Sequence, residues 1–168
     1  MAIRKLFIGI GSNLGDRLHY LTSAKSQIEL KFNAVPMCSS IYESEPWGFK
    51  EQEPFLNQVI SVETELNPLK IWDLLFDIEK NLGRLRVLKF GPRTIDLDII
   101  LLGTMYFKNH SLTIPHPQMQ RRRFVLEPLA ELDCEIIHPL FSTSIKQLLI
   151  DCEDAGQITK YHHYEKQS

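Results

Sequence analysis

Residues 94–102 read Thr94-Ile95-Asp96-Leu97-Asp98-Ile99-Ile100-Leu101-Leu102, a β-branched and apolar run interrupted only by two acids. That composition belongs to a strand, and along a strand successive side chains alternate between the two faces. Asp96 and Asp98 therefore share one face, with Ile95, Leu97, Ile99 and Leu101 expected on the other. Their backbones lie roughly 6.6 Å apart along a strand, where two unit charges repel by about 2.5 kcal/mol at an effective dielectric of about 20. A cation would remove that repulsion, and two carboxylates with positions left open for water and phosphate suit Mg²⁺. A bare D-x-D is also the pattern of a solvated strand end, so the spacing alone leaves both readings open.

Working outward, the elements fall into an order. Leu6, Ile8 and Ile10 alternate with Phe7, Gly9 and Gly11, a strand ending in the turn Gly11-Ser12-Asn13. Leu18, Leu21, Ile28 and Phe32 mark a helix over about 16–32. Residues 35–44 and 55–66 both read as extended and should pair antiparallel, separated by a long loop at Glu45-Pro46-Trp47-Gly48. Asn67 and Pro68 are a cap and a first-turn proline for a helix carrying Ile71, Leu74, Leu75, Ile78 and Leu82, closed by Gly83. Strand, helix, strand, strand, helix, strand is the ferredoxin-like α+β order with a mostly antiparallel sheet. A short hairpin over 104–109 and helices over 124–132 and 144–150 follow. Those added helices are expected to cover the second sheet face, giving a three-layer αβα sandwich.

At 168 residues the chain suits one domain, read here as 1–168 with a loose tail after about Asp154 that carries no chemistry. Nineteen Lys and Arg against 21 Asp and Glu leave a net charge of -2, which offers no global positive field for nucleic acid or an anionic membrane. Cys38, Cys134 and Cys152 are scattered and form no C-x-x-C pair, which argues against a disulfide framework or a zinc site. No stretch approaches the roughly 18 apolar residues of a spanning helix, so the expectation is a cytoplasmic protein, working as a monomer.

Cations surround the two acids in sequence: Arg84, Arg86, Lys89 and Arg93 precede them, and Arg121, Arg122 and Arg123 follow His116. Guanidinium groups bind phosphate bidentately and stay charged, although charge runs, that of Arg121 included, are commonly solvated faces. His116, between two prolines, reads alone as a hydrogen-bonded loop residue. Trp47, Phe55, Asn57 and Phe124 offer aromatic faces and an amide to a flat heterocycle, but aromatic residues on strands also fill cores. Gly9, Gly11 and Gly15 with Ser12 lack both the Walker and the G-x-G-x-x-G patterns and read as a structural turn.

Several segments stand in a telling order: I-G-I-G-S-N-L-G-D-R at 8–17, E-S-E-P-W-G at 43–48, F-L-N at 55–57 and I-E-K-N-L-G-R-L-R at 78–86. G-P-R-T-I-D-L-D-I at 91–99 and I-P-H-P-Q-M-Q-R-R-R-F-V-L-E-P-L at 114–129 complete the set. Over nearly its whole length the chain resembles the 6-hydroxymethyl-7,8-dihydropterin pyrophosphokinases of folate biosynthesis. The resemblance implies transfer of pyrophosphate from ATP to the pterin hydroxymethyl group, with ATP as co-substrate. It also implies two Mg²⁺ ions on Asp96 and Asp98. Arg93, His116, Arg122 and Thr113 would then contact the nucleotide, Glu79 would lie near it, and Arg84 and Arg86 would be arginines of a mobile loop bracketed by Gly83 and Gly91 that closes over the site. Phe55 and Phe124 would sandwich the pterin, Asn57 would meet its polar edge, and the backbone from Ser44 and Glu45 to Trp47 would add hydrogen bonds. Pro117 stands where some members carry Tyr, which removes any phenolic contact there. Two rivals share part of the pattern: a nucleotidyltransferase with a strand D-x-D, whose two motifs normally lie closer together, and an RRM-type RNA-binding module, which this chain's missing R-G-F-x-F pattern disfavours.

Overall fold

A computed structural model describes residues 2–85 and 89–163. In chain order the strands and helices are β1 (Arg4–Ser12), α1 (Arg17–Phe32), β2 (Met37–Cys38), β3 (Tyr42–Ser44), β4 (Phe55–Thr64), α2 (Pro68–Asn81) and β5 (Asp96–Leu102). A small hairpin of β6 (Phe107–Lys108) and β7 (Thr113–Ile114) follows, then α3 (Arg123–Asp133), α4 (Ile145–Ile150) and β8 (Ile158–Lys160). The main sheet runs β5-β1-β4-β3-β8, with β2 also pairing to β4, and every pairing is antiparallel. The architecture is thus a mixed α/β fold with an antiparallel sheet and, among the described residues, four α-helices.

Local chemistry explains the helix ends. The Asp16 carboxylate accepts from His19 N–H and starts α1, and the Asn67 side chain accepts from Lys70 N–H and starts α2 behind Pro68. Gly83, at φ +78°, then takes a left-handed turn that a side chain would resist. Leu21, Ala24 and Ile28 of α1 and Ile71, Leu75 and Ile78 of α2 are buried against Leu6, Ile8 and Ile10 of β1. Phe7, of opposite parity, joins Val59, Ile100, Leu126 and Leu129 in a second buried cluster with α3 and α4. Apolar positions on both sides of the central strands are what two such clusters require.

The sequence expectations shift in four places. The extended stretch 35–44 splits into β2 and β3: Ser39 N–H still donates to the Val59 carbonyl at 2.9 Å, and the ladder breaks at Ser40 and Ile41. The hairpin lies at 107–114 rather than 104–109. The register of β5 on β1 slips between Phe7 and Ile8, leaving Ile100 unpaired. Beyond this bulge Leu101 turns into the cluster of Phe7 and Ile100 instead of following Leu97 and Ile99. The segment after Asp154 is not loose at its start: Ile158–Lys160 form β8 on the edge of β3.

Candidate active site

The sheet register builds the floor of a cleft. Asp96 and Asp98 of β5 stand opposite Gly11 and Gly9 of β1, and Gly11 in turn stands opposite Asn57 of β4. Gly9 and Gly11 are more than turn residues: a Cβ at Gly11 would lie 3.0 Å from Asn57 Oδ1, and one at Gly9 would lie 3.2 Å from Ile100 Cδ1. Removing two side chains from the middle strand opens the space between the acids and the amide. Ser44, Glu45, Trp47, Phe55, Asn57 and Phe124 all line this first cavity, so the six residues suggested for an aromatic heterocycle converge. Asn57 Nδ2 donates to Ser44 Oγ at 2.6 Å, which fixes the amide's orientation.

A second cavity adjoins the first and shares Phe90, Arg93, Asp96, Asp98 and Arg122 as walls. Arg84 and His116 lie along it. Arg84 Nη1 donates to Asp96 Oδ1 at 2.7 Å and to Glu79 Oε1 at 2.6 Å, and Arg93 Nε approaches Asp96 Oδ2 at 3.4 Å. Burial alone would raise the Asp96 carboxyl's pKa, but Arg93 and Arg84 outweigh it and hold it below the usual carboxylate range. Asp98 goes the other way. Burial and the neighbouring Asp96 charge push it up to about 7, and its side chain remains 37% exposed toward the cavity. Burial and the Arg122 charge lower His116 to about 4, so its 3.9 Å approach to Asp98 is not an ion pair at neutral pH. His116 Nδ1 accepts from Gln118 N–H, which leaves the remaining ring proton on Nε2, facing the acid.

Other placements are less direct. Glu79 is buried outside both cavities, where Oε1 accepts from Arg84 and from Leu97 N–H at 2.8 Å; it orients an arginine and a strand. Thr113 on β7 lines neither cavity. Arg86 lies outside the described residues. The Arg121–Arg123 run is no uniform solvated face: Arg121 is exposed, Arg122 is buried with its guanidinium 4.5 Å above the Trp47 ring, and Arg123 binds the C-terminal segment. Sequence reading missed Asn13 and Gln52. Buried Asn13 donates to Gln52 Oε1 and to the Glu53 carbonyl, and accepts from Arg93 N–H, each at 2.9 Å. Gln52 Nε2 donates to the Phe49 and Phe90 carbonyls, each at 2.7 Å. Only the G-S-N motif hinted at this, and nothing local marked Gln52.

An aromatic, amide-lined slot that opens onto an acid and arginine cleft is built for a flat heterocycle beside a polyanion. Residues 7–134 match the family model described as 7,8-dihydro-6-hydroxymethylpterin-pyrophosphokinase. The chain belongs to that family. A pyrophosphokinase from Bacillus subtilis is 43% identical over 127 residues, covering 75% of this chain and 76% of that protein. One from Aquifex aeolicus is 37% identical over 142 residues, covering 84% and 88%. The folic acid synthesis protein fol1 of Pneumocystis carinii is 41% identical over 140 residues, but this chain, 83% covered, spans only 19% of it. A crystal structure of an HPPK-DHPS in complex with substrates superposes with a TM-score of 0.72 over 90% of this chain and 43% of that one; at 14% identity it speaks to the fold alone.

Proposed function

We propose that the protein transfers the pyrophosphoryl group of ATP to the hydroxymethyl oxygen of 6-hydroxymethyl-7,8-dihydropterin, releasing AMP, as a step of folate biosynthesis. The observation that carries this reading is the shared wall: Asp96, Asp98, Arg93 and Arg122 border both the aromatic slot and the cationic cleft. A pterin and a triphosphate placed in the two cavities would meet there. The hydroxymethyl oxygen attacks the β-phosphorus and gives up its proton to solvent, the bond from β-phosphorus to the oxygen bridging it to the α-phosphorus breaks, and AMP leaves with the electron pair. Phe55 and Phe124 take the faces of the pterin, Asn57 and Ser44 with the Glu45–Trp47 backbone take its edge, and Arg84, Arg93 and Arg122 offset charge on the phosphates.

The donor set fits Mg²⁺. Burial and the Asp96 charge disfavour the Asp98 carboxylate despite Arg122 and Arg93, an opposition a cation would offset, and among the described residues no third His, Cys, Asp or Glu joins it and Asp96 in a metal cluster. Few protein ligands and open positions are the Mg²⁺ pattern at phosphate sites. Asp96 and Asp98 would hold the metal, two ions in this reading, and its chemistry when bound is neutralisation of phosphate oxygens. Arg84 would then exchange its contact with Asp96 for a phosphate. His116 would offer Nε2–H to the nucleotide.

We further read the architecture as a ferredoxin-like core with helices on both sheet faces, working as a monomer in the cytoplasm; no described helix is long and apolar enough to cross a membrane. An RRM-type module needs a bare sheet face for its bases, and here α3 and α4 cover that face beyond the cleft. The nucleotide product separates the remaining rival. Incubated with ATP, Mg²⁺ and the pterin, the protein should release AMP; release of pyrophosphate instead would assign it to nucleotidyl transfer.

A further inference from the structure

The first turn of α3 lacks a local side-chain cap. Its N-cap position is Arg122, a side chain that donates hydrogen bonds and accepts none, and it makes no capping bond. Arg122 is used elsewhere, over the Trp47 ring in the cleft. The acceptor arrives from 31 residues along the chain: Asp154 Oδ2 accepts from Arg123 N–H at 3.0 Å, while Oδ1 accepts from Gly156 N–H at 3.0 Å. Arg123 answers with its side chain, Nε donating to the Asp154 carbonyl at 3.1 Å and Nη2 to the Cys152 carbonyl at 3.2 Å. The same segment continues to Gln157, whose carbonyl accepts from Glu45 N–H at 3.2 Å, and into β8 on the edge of β3. One strap, outside the family-matched residues 7–134, therefore grips both walls of the slot: the start of α3 with Arg122 and Phe124, and the end of β3 with Ser44.

We propose that Asp154 is a positioning residue for the reaction, capping α3 in trans and thereby setting Arg122 and Phe124 against Ser44 and Trp47 at the width the pterin needs. A negative carboxylate complements the positive end of the helix. A Ser or Asp at position 122 would cap the helix locally but would take the guanidinium out of the cleft, so the remote cap is what lets an arginine stand there. The inference rests on the pyrophosphokinase reading above, in which Arg122 and Phe124 face the substrates.

Wild type, Asp154→Ala, Asp154→Asn and Asp98→Asn are compared for AMP release and melting temperature. Asp154→Ala should raise the pterin KM about five-fold, the whole effect of one lost helix cap falling on pterin binding, with kcat within about two-fold. Asp154→Asn keeps one of the two acceptor oxygens and should give a pterin KM between those of wild type and Asp154→Ala. A wild-type pterin KM in Asp154→Ala overturns the proposal, whether or not the melting temperature falls, and so does equal impairment of the Ala and Asn variants. Should Asp154→Ala fail to fold, Gly156→Ala takes its place: the new Cβ would lie 3.1 Å from Asp154 Oδ1 and crowd the cap, so an unchanged pterin KM overturns the proposal there too. The two readings fail differently. Wild type that releases no AMP, or Asp98→Asn with full turnover, strikes the assigned chemistry; active wild type with inactive Asp98→Asn and an unaffected Asp154→Ala strikes the strap alone.

Discussion

At Asp98, burial and the Asp96 charge work against ionisation, whereas a bound cation works for it. A residue so placed weakens the empty fold in favour of the loaded one. Asp98→Asn should therefore lower AMP release by about 10²–10³-fold, while its melting temperature in the absence of Mg²⁺ equals or exceeds that of wild type. A lower melting temperature with intact turnover would instead make the acid part of the scaffold. The three consecutive arginines show where reading residues in line stops. Arg121, Arg122 and Arg123 are identical in type and differ only in direction: one toward solvent, one over Trp47, one into the C-terminal backbone. A 3-10 turn at Met119–Arg121 passing into α3 sets those directions, and no local pattern encodes which arginine meets the cleft.

Among the elements, those with chemical punctuation were legible. Asn67, Pro68 and Gly83 place the two ends of α2 because capping and left-handed turns are local matters. The β5 bulge was not legible, since an unpaired Ile100 looks like any other strand isoleucine until β1 lies beside it. Asn13 and Gln52 join the loops. Asn13, 3% exposed, ties the segment around Gln52 and Glu53 to Arg93. Asn13→Ala removes three part-buried hydrogen bonds and should cost about 1–2 kcal/mol, read by urea denaturation. It should also raise KM for ATP and pterin together, because the bonds lead to both cavities. Loss of affinity for one substrate alone would show that the two loops move independently.

For the molecule as a whole, α3 is anchored to the sheet near both ends, by Asp154 at its start and by Glu131 toward its close. Glu131 accepts from Ser40 N–H and Oγ and from Tyr42 Oη, between 2.7 and 2.8 Å. Burial would raise its pKa, but these hydrogen bonds prevail and hold it below the ordinary carboxylate range, whereas Tyr42 is pushed up by burial and by Glu131. A folded pKa below the unfolded one stabilises at pH above the unfolded value, about 4.3 for Glu, and the benefit disappears as pH falls through the folded value. The gap in melting temperature between wild type and Glu131→Gln should therefore be open at pH 7 and close toward pH 3; a gap that persists in acid would trace to shape rather than charge. Read on its own, the chain already determined the order of its longer strands and helices, its paired acids and its aromatic candidates, because periodicity, caps and ordered motifs are properties of neighbours along the chain. Only the tertiary structure decided that Gly9 and Gly11 form a floor, that Asn13 and Gln52 join the loops, and that Asp154 caps a helix 31 residues away. Each of those depends on which backbones lie side by side, and a contact between distant residues leaves no mark on the sequence near either one.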